Sequence, residues 1–304
     1  VRIQIITNLD NGAGLQQDYA LLADLCREAG HEVLTAHIHR PSEAVRADLN
    51  VFLEVLVPSL LDMAPRNWLV PNSEWWGGHW NVHLGRIERV LCKTQDCLRI
   101  WKKKHKQCVF TGWAARDLWK DIPKEAKFLH TAGKSQTKNT TAVAEAWRRF
   151  HLPYPLTVVA FKPEIARSCK GIDNVHLVNR FTETELQDQI NSARFFIMPS
   201  KYEGYGHSIH EALGCRAVVI TTNGEPMRSF SGIPRALLVQ TVQESGMAEA
   251  TASLVSISAL ANTVRKAVAL PLETLDRLGN EARAGFLKDN AYFFQTIRGV
   301  LNGL

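Results

Sequence analysis

Short apolar runs rich in β-branched residues alternate with helical patterns along almost the whole chain, and the series occurs twice. RIQII (2–6), HEVLTAHI (31–38), VFLEVLV (51–57), NWLV (67–70), RVLCK (89–93) and CVFTGW (108–113) form the first set. KFLHTAG (127–133), LTVVAF (156–161), NVHLV (174–178), RFFIMP (194–199), CRAVVITT (215–222) and RALLVQ (235–240) form the second. Runs this short and this apolar read as strands buried on both faces, which requires a parallel sheet covered by helices. A helix with Tyr19, Leu22, Leu25 and Cys26 on one face follows the first run, with Gly30 just past its end. Thr182 and Glu185 make a capping box that opens another helix. From 256 to 302 the pattern is helical, with a break near Pro271. The expected architecture is α/β: two Rossmann-like, doubly wound domains facing a central cleft. The boundary falls where the pattern breaks around Asp121, Pro123 and Lys124, giving domains 1–122 and 123–285. The last helix, 286–304, is expected to pack back on the first domain.

Ligands of open parallel sheets sit at the carboxyl ends of the strands, so the turns after strands are where chemistry is sought. A spanning helix is excluded, because no segment approaches ~18 consecutive apolar residues. The opening residues read as a strand and a turn rather than a secretory leader. None of the six cysteines forms a CxxC pair or a zinc-finger spacing. They read as buried thiols of a reducing compartment, so the expected location is cytoplasmic, with peripheral attachment to a membrane as an addition.

The segment PSKYEGYGHSIHEALGCRAVVITTNGEPM (199–227) carries the strongest signal. A buried run ends at Pro199, a loop of Glu203, Gly204, Tyr205, Gly206, His207 and Ser208 follows, and a helix begins. Glycines let a backbone approach a ligand closely, and free amides at a helix start attract phosphate. A plain tight turn with two solvated glutamates, Glu203 and Glu211, is the alternative reading of the same residues.

These residues resemble the donor-site signature of retaining glycosyltransferases of family 4, which have the GT-B fold. Their pattern is E-x7-E enclosing a G-[FY]-G loop, and Glu203, Gly204, Tyr205, Gly206 and Glu211 match it. The resemblance implies that Glu203 lies against the donor sugar, that Glu211 binds the ribose hydroxyls, and that the loop amides hold the diphosphate. FLHTAGKSQTKNTTAVAEAW (128–147) resembles the family's GRLxxxKG turn. Lys134 and Lys138 then stand for its basic pair, with lysine in place of arginine, one residue fewer between them, and Asn139 where glycine is usual. VHLVNRFTETEL (175–186) is similar to the segment that frames the base, with Arg180 placed to stack on it or to pair with a phosphate. After the first run, Gly12 and Gly14 stand where the family has a glycine-rich loop facing the donor. They do not complete a GxGxxG fingerprint, since Gln17 occupies the last glycine's place, which lowers a dehydrogenase reading. AVVITTNGEPM ends in a turn like the family's TxxGGxPE, but Glu225 precedes the proline instead of following it.

The resemblance implies a retaining transfer of sugar from a nucleotide diphosphate sugar to an acceptor hydroxyl. The nucleotide sugar is a co-substrate; no cofactor is implied, and no metal, since no DxD follows a strand of the first half. Two other classes stay open: a non-transferring GT-B enzyme such as a nucleotide-sugar 2-epimerase, and an inactive nucleotide-sugar-binding protein.

Two stretches of the first half bear on the acceptor. NWLVPNSEWWGGHWNVH (67–83) holds four of the eight tryptophans, and indole faces are platforms for sugar rings. Glu74, Trp75 and Trp76 are its candidate acceptor residues, against the alternative of an irregular aromatic core. The window 86–106 holds Arg86, Arg89, Lys93, Arg99, Lys102, Lys103, Lys104 and Lys106 against Glu88 and Asp96. It therefore carries the whole net charge of +6. It suits an anionic acceptor, whether an acidic glycan, a lipid-linked phosphate or DNA, or else lysines meeting a helix dipole.

Overall fold

The computed structural model describes residues 1–11, 14–234 and 237–304. The chain divides into two compact units: 1–114 with 246–250 and 290–304, and 115–245 with 251–289.

The first unit is built on β1 (Arg2–Thr7), α1 (Gly14–Glu28), β2 (Glu32–His37), β3 (Leu49–Glu54), β4 (Arg66–Pro71), β5 (Arg89–Cys92), α2 (Gln95–Trp101) and β6 (Cys108–Phe110). Its six strands are parallel in the order β2-β1-β3-β4-β5-β6. Gly30, at φ +80°, takes the left-handed conformation that ends α1 without a Cβ penalty. The register of the three central strands is pinned by an amide ladder. Gln4 Nε2 donates to Asn50 Oδ1 at 3.0 Å, and Asn50 Nδ2 donates to Asn67 Oδ1 at 3.0 Å. All three amides are buried and stand opposite one another in the sheet. A one-residue slip would orphan them in a dry interior. Phe52, Leu69, Val90, Trp76 and Trp101 lie in the core beside them.

The second unit contains β7 (Glu125–Gly133), α3 (Thr140–Phe150), β8 (Leu156–Ala160), α4 (Pro163–Arg167), β9 (Val175–Val178), α5 (Glu183–Ser192), β10 (Ala193–Met198), α6 (His207–Gly214), β11 (Val218–Thr222) and β12 (Leu238–Val239). The sheet order is β12-β11-β10-β7-β8-β9. Counted within the unit this is 6-5-4-1-2-3, with its topological switch point between β7 and β10. Phe128 and Phe195 stack across that junction at 4.7 Å, and Trp147 of α3 meets Phe128 edge-on at 5.3 Å. The capping box at Thr182 and Glu185 is formed in full.

All twelve apolar runs contain strands. The last is shorter than its pattern, with β12 covering only Leu238–Val239; positions 235 and 236 of that run lie outside the described residues. A two-stranded sheet of β13 (Thr241–Met247) and β14 (Ala250–Val255) has no counterpart in the apolar pattern, because β13 is mostly solvated. α7 (Ile257–Val268) and α8 (Leu272–Asn302) follow, separated at Pro271. Among the described residues no helix is long and apolar enough to cross a membrane.

Candidate functional site

The two loops that flank the switch point of the second sheet carry the residues singled out in the sequence. After β7 the chain turns at exposed Lys134 and makes a 3-10 turn, Gln136–Lys138. After β10 it runs through Pro199 to Gly206 and enters α6. The loops are tied by the Lys201 N–H, which donates to Thr137 O at 2.8 Å. Parallel strands that diverge at a switch point open a crevice at their carboxyl ends, and both loops leave the sheet there.

Lys138 and Glu203 meet across this junction. The Lys138 ammonium donates to Glu203 Oε1 at 2.5 Å and to Oε2 at 2.7 Å. Ser200 Oγ donates to the same Oε1 at 2.5 Å. Glu203 is buried, so its charge requires such compensation. An ammonium has three donors; two are on Glu203, which leaves one for a phosphate oxygen.

Gly206 caps α6 at φ +83°, and a Cβ there would lie 3.2 Å from Phe230 and 3.5 Å from Glu203 Cγ. Only glycine fits both the backbone conformation and the gap. Tyr205 is buried and stacks on His210 at 4.2 Å and 11°, and His210 Nδ1 donates to Gly206 O at 3.1 Å. The turn is therefore clamped from inside, while Gly204, His207 and Ser208 remain half-buried at the start of the helix. The first amides of a helix have no partner within it and form an anion site.

Glu211 lies on α6 and is buried, and Arg116 Nε donates to its Oε1 at 2.7 Å. Each glutamate of the E-x7-E pair thus has its own cation: Lys138 for Glu203 and Arg116 for Glu211. Beneath the site, His130 is fully enclosed on β7. Its Nδ1 bonds Ile197 O at 2.7 Å and its Nε2 bonds Thr140 Oγ1 at 2.9 Å. Burial lowers its pKa to about 4, and the charge of Lys138 pushes the same way. Arg180 is exposed between β9 and α5. Glu225 binds Arg228 and Ser229, each at 2.7 Å, within its own turn.

In the first unit, Gly14 is the first residue of α1, and Gly12 lies outside the described residues. Trp76 is a core residue and leaves no face for a sugar ring. It is 1% exposed, meets Trp101 edge-on at 4.7 Å, and donates from Nε1 to Asn81 Oδ1. The acceptor expectation narrows to Trp75, which is 55% exposed, and half-buried Glu74. Several charges of the basic window are compensated. Arg86 pairs with Asp62, Arg99 with Asp96 and Lys104 with Glu249, and Arg89 lies over Trp68. Lys102, Lys103 and Lys106 are its exposed lysines.

Sequence reasoning missed two groups. Arg116 stands in a segment with no periodicity. The other is a polar cluster at the carboxyl ends of β3, β4 and β5. There Lys93 is buried and donates to Asp18 Oδ2 at 2.5 Å and to Asn72 Oδ1 at 3.1 Å. Asn72 Nδ2 in turn donates to Glu54 Oε1 at 2.9 Å. Glu54 has a left-handed backbone, φ +73°, and burial pushes its carboxyl above the ordinary range against the pull of Asn72 and Lys93. The available signal was an ionisable residue closing an apolar run, as Glu54 does after VFL and Lys93 after VLC.

The family model for glycosyl transferases group 1 matches residues 125–256, the stretch that carries this junction. Several solved structures share the fold. Sucrose-phosphate synthase from Thermosynechococcus elongatus superposes with a TM-score of 0.75 at 13% identity, covering 100% of both chains. A glycosyltransferase from Rickettsia africae gives 0.73 at 12% identity, covering 99% of this chain and 97% of its own. WaaG, a glycosyltransferase involved in lipopolysaccharide biosynthesis, gives 0.65 at 14% identity and 100% of both chains. A search of curated protein sequences returns no match. The fold is that of GT-B glycosyltransferases, and the family match classes the chain as a transferase of glycosyl groups.

Proposed function

We propose that the chain is a retaining, metal-independent glycosyltransferase that uses a nucleotide diphosphate sugar. The observation that carries this reading is the meeting of Lys138 and Glu203 beside the start of α6 at the switch point of the second sheet. Lys138, Lys134 and the amides after Gly206 stabilise the leaving diphosphate, where most charge develops. Glu203 faces the sugar, and its pairing with Lys138 removes the repulsion that a bare carboxylate would exert on the diphosphate. Glu211 accepts hydrogen bonds from the ribose, and Arg180 adjoins the base. The bond from the sugar's anomeric carbon to the diphosphate breaks while the acceptor oxygen joins that carbon on the same face. The acceptor's proton passes to the departing diphosphate oxygen, so no side chain need act as base. Trp75, Glu74 and the exposed lysines are the acceptor-side residues. The first unit then serves the acceptor and the second the donor, in the cytoplasm.

The ribose assignment has a direct test. Glu211→Ala is expected to weaken binding of free nucleoside diphosphate by roughly 1.5–3 kcal/mol, the range for a lost charged hydrogen bond. Titration calorimetry reads it, and an unchanged dissociation constant removes the assignment.

A further inference from the structure

A buried carboxylate is useful to a ligand only if something else compensates its charge and fixes its direction. Glu211 sits on α6 with its side chain 5% exposed, and Arg116 reaches it from a segment without regular structure. The guanidinium is divided between two acids. Nε donates to Glu211 Oε1 at 2.7 Å, and Nη1 donates to Glu183 Oε1. Glu183 opens α5, where a carboxylate is favoured by the helix dipole.

The segment around Arg116 is sewn down on both sides. Lys120 N–H donates to Asn191 Oδ1 at 2.9 Å, and Asn191 and Gln187 donate to Leu118 O at 2.7 and 3.1 Å. Lys120 Nζ also reaches Asp188 at 2.8 Å. On the other side Asp117 takes both ends of the Arg283 guanidinium at 2.9 and 3.0 Å. Arg283 donates as well to Gly214 O, the last residue of α6. The backbone that carries Arg116 is thus fixed against α5 and, through Asp117 and Arg283, against the end of α6.

We propose that Arg116 is a positioning residue for the nucleotide. By occupying Glu211 Oε1 through Nε, it turns the carboxylate so that the remaining lone pairs accept from the two hydroxyls of a ribose. It thereby sets the preference for ribonucleotides over deoxyribonucleotides. A carboxylate has about four lone-pair sites, so one bond from Arg116 leaves enough for a vicinal diol. The proposal rests on the ribose role of Glu211.

The test uses titration calorimetry with UDP, ADP and GDP and with their 2′-deoxy counterparts on the whole chain. The parent protein is expected to prefer the ribo form of its nucleotide by about tenfold or more, the value of one charged hydrogen bond. Arg116→Gln, which keeps a donor but no charge, should collapse that preference to about threefold or less. Arg116→Lys should recover part of it. Arg116→Gln/Glu211→Ala should bind no more weakly than Glu211→Ala alone, since residues acting through one contact are not additive. A general loss of structure would weaken both sugar forms and pyrophosphate alike, and the ribo-to-deoxy ratio is insensitive to it. If Glu211→Ala weakens the nucleotide but Arg116→Gln keeps the full ribose preference, or if the two losses add, the positioning role is overturned and the ribose role stands. If Glu211→Ala has no effect, both fall together.

Discussion

Glu203→Gln is expected to lower turnover about a hundredfold or more, the scale of losing one group that acts on the transition state. Free nucleoside diphosphate should meanwhile bind within about threefold of the parent affinity. The division follows from the way Glu203 is held. Its carboxylate takes two bonds from Lys138 and one from Ser200. Glutamine keeps the size but cannot hold an ammonium with both ends. The sugar loses its carboxylate, while Lys138 is released toward the phosphates and offsets any loss of nucleotide contact. Turnover is read as release of nucleoside diphosphate from the nucleotide sugar, and affinity by calorimetry. Equal losses in the two would show that Glu203 belongs to the nucleotide site rather than to the sugar.

Acid should destabilise the second unit before its surface carboxylates titrate fully. His130 and His210 are buried, and burial lowers both from the ordinary value of 6.5 to about 4. If His130 Nδ1 donates to Ile197 O, its Nε2 accepts from Thr140, and a second proton would face that hydroxyl in a dry interior. His210 is enclosed by Tyr205 and Phe230. Between pH 6.5 and 4 the unfolded chain binds protons that the native unit refuses, so stability rises with pH across that window and is lost on acidification. Each histidine contributes up to about 3 kcal/mol over the full window, and the two together give a slope near 2.7 kcal/mol per pH unit. Urea unfolding at a series of pH values measures the slope. His130→Gln should reduce it by about half. A slope that the substitution leaves unchanged would show that His130 accepts its proton in the folded state.

The strands were legible because each is buried on both faces and so appears as an unbroken apolar run. The same logic explains the gaps. β13 is exposed on both faces, with Val242, Gln243, Glu244, Ser245 and Gly246 all open to solvent, and so shows no run to read. Trp76 was misplaced because an indole in a glycine-flanked loop looks the same in sequence whether it packs on Trp101 or faces solvent. The net charge of the 86–106 window is real, but pairing partners such as Asp62 and Glu249 lie outside it, so composition overstated the exposed charge. At the candidate site, residues inside one loop were legible from spacing: Glu203, Gly206 and Glu211. The cations were harder. Lys138 is 65 residues from its glutamate and was reached through a degenerate motif. Arg116 is 95 residues from Glu211, in a stretch with no pattern at all. Sequence periodicity records burial within an element, and it carries no information on which distant charge compensates a buried one.

The second unit is expected to take up a nucleotide diphosphate sugar through Lys138, Glu203 and Glu211. Titration calorimetry of the parent chain and of Glu211→Ala against a panel of nucleotide diphosphate sugars tests this most directly. One sugar nucleotide is expected to bind the parent with a dissociation constant of about 100 μM or tighter, and Glu211→Ala should weaken it about tenfold or more. A panel in which every member binds no better than inorganic pyrophosphate, or a best binder that Glu211→Ala leaves unaffected, would contradict it.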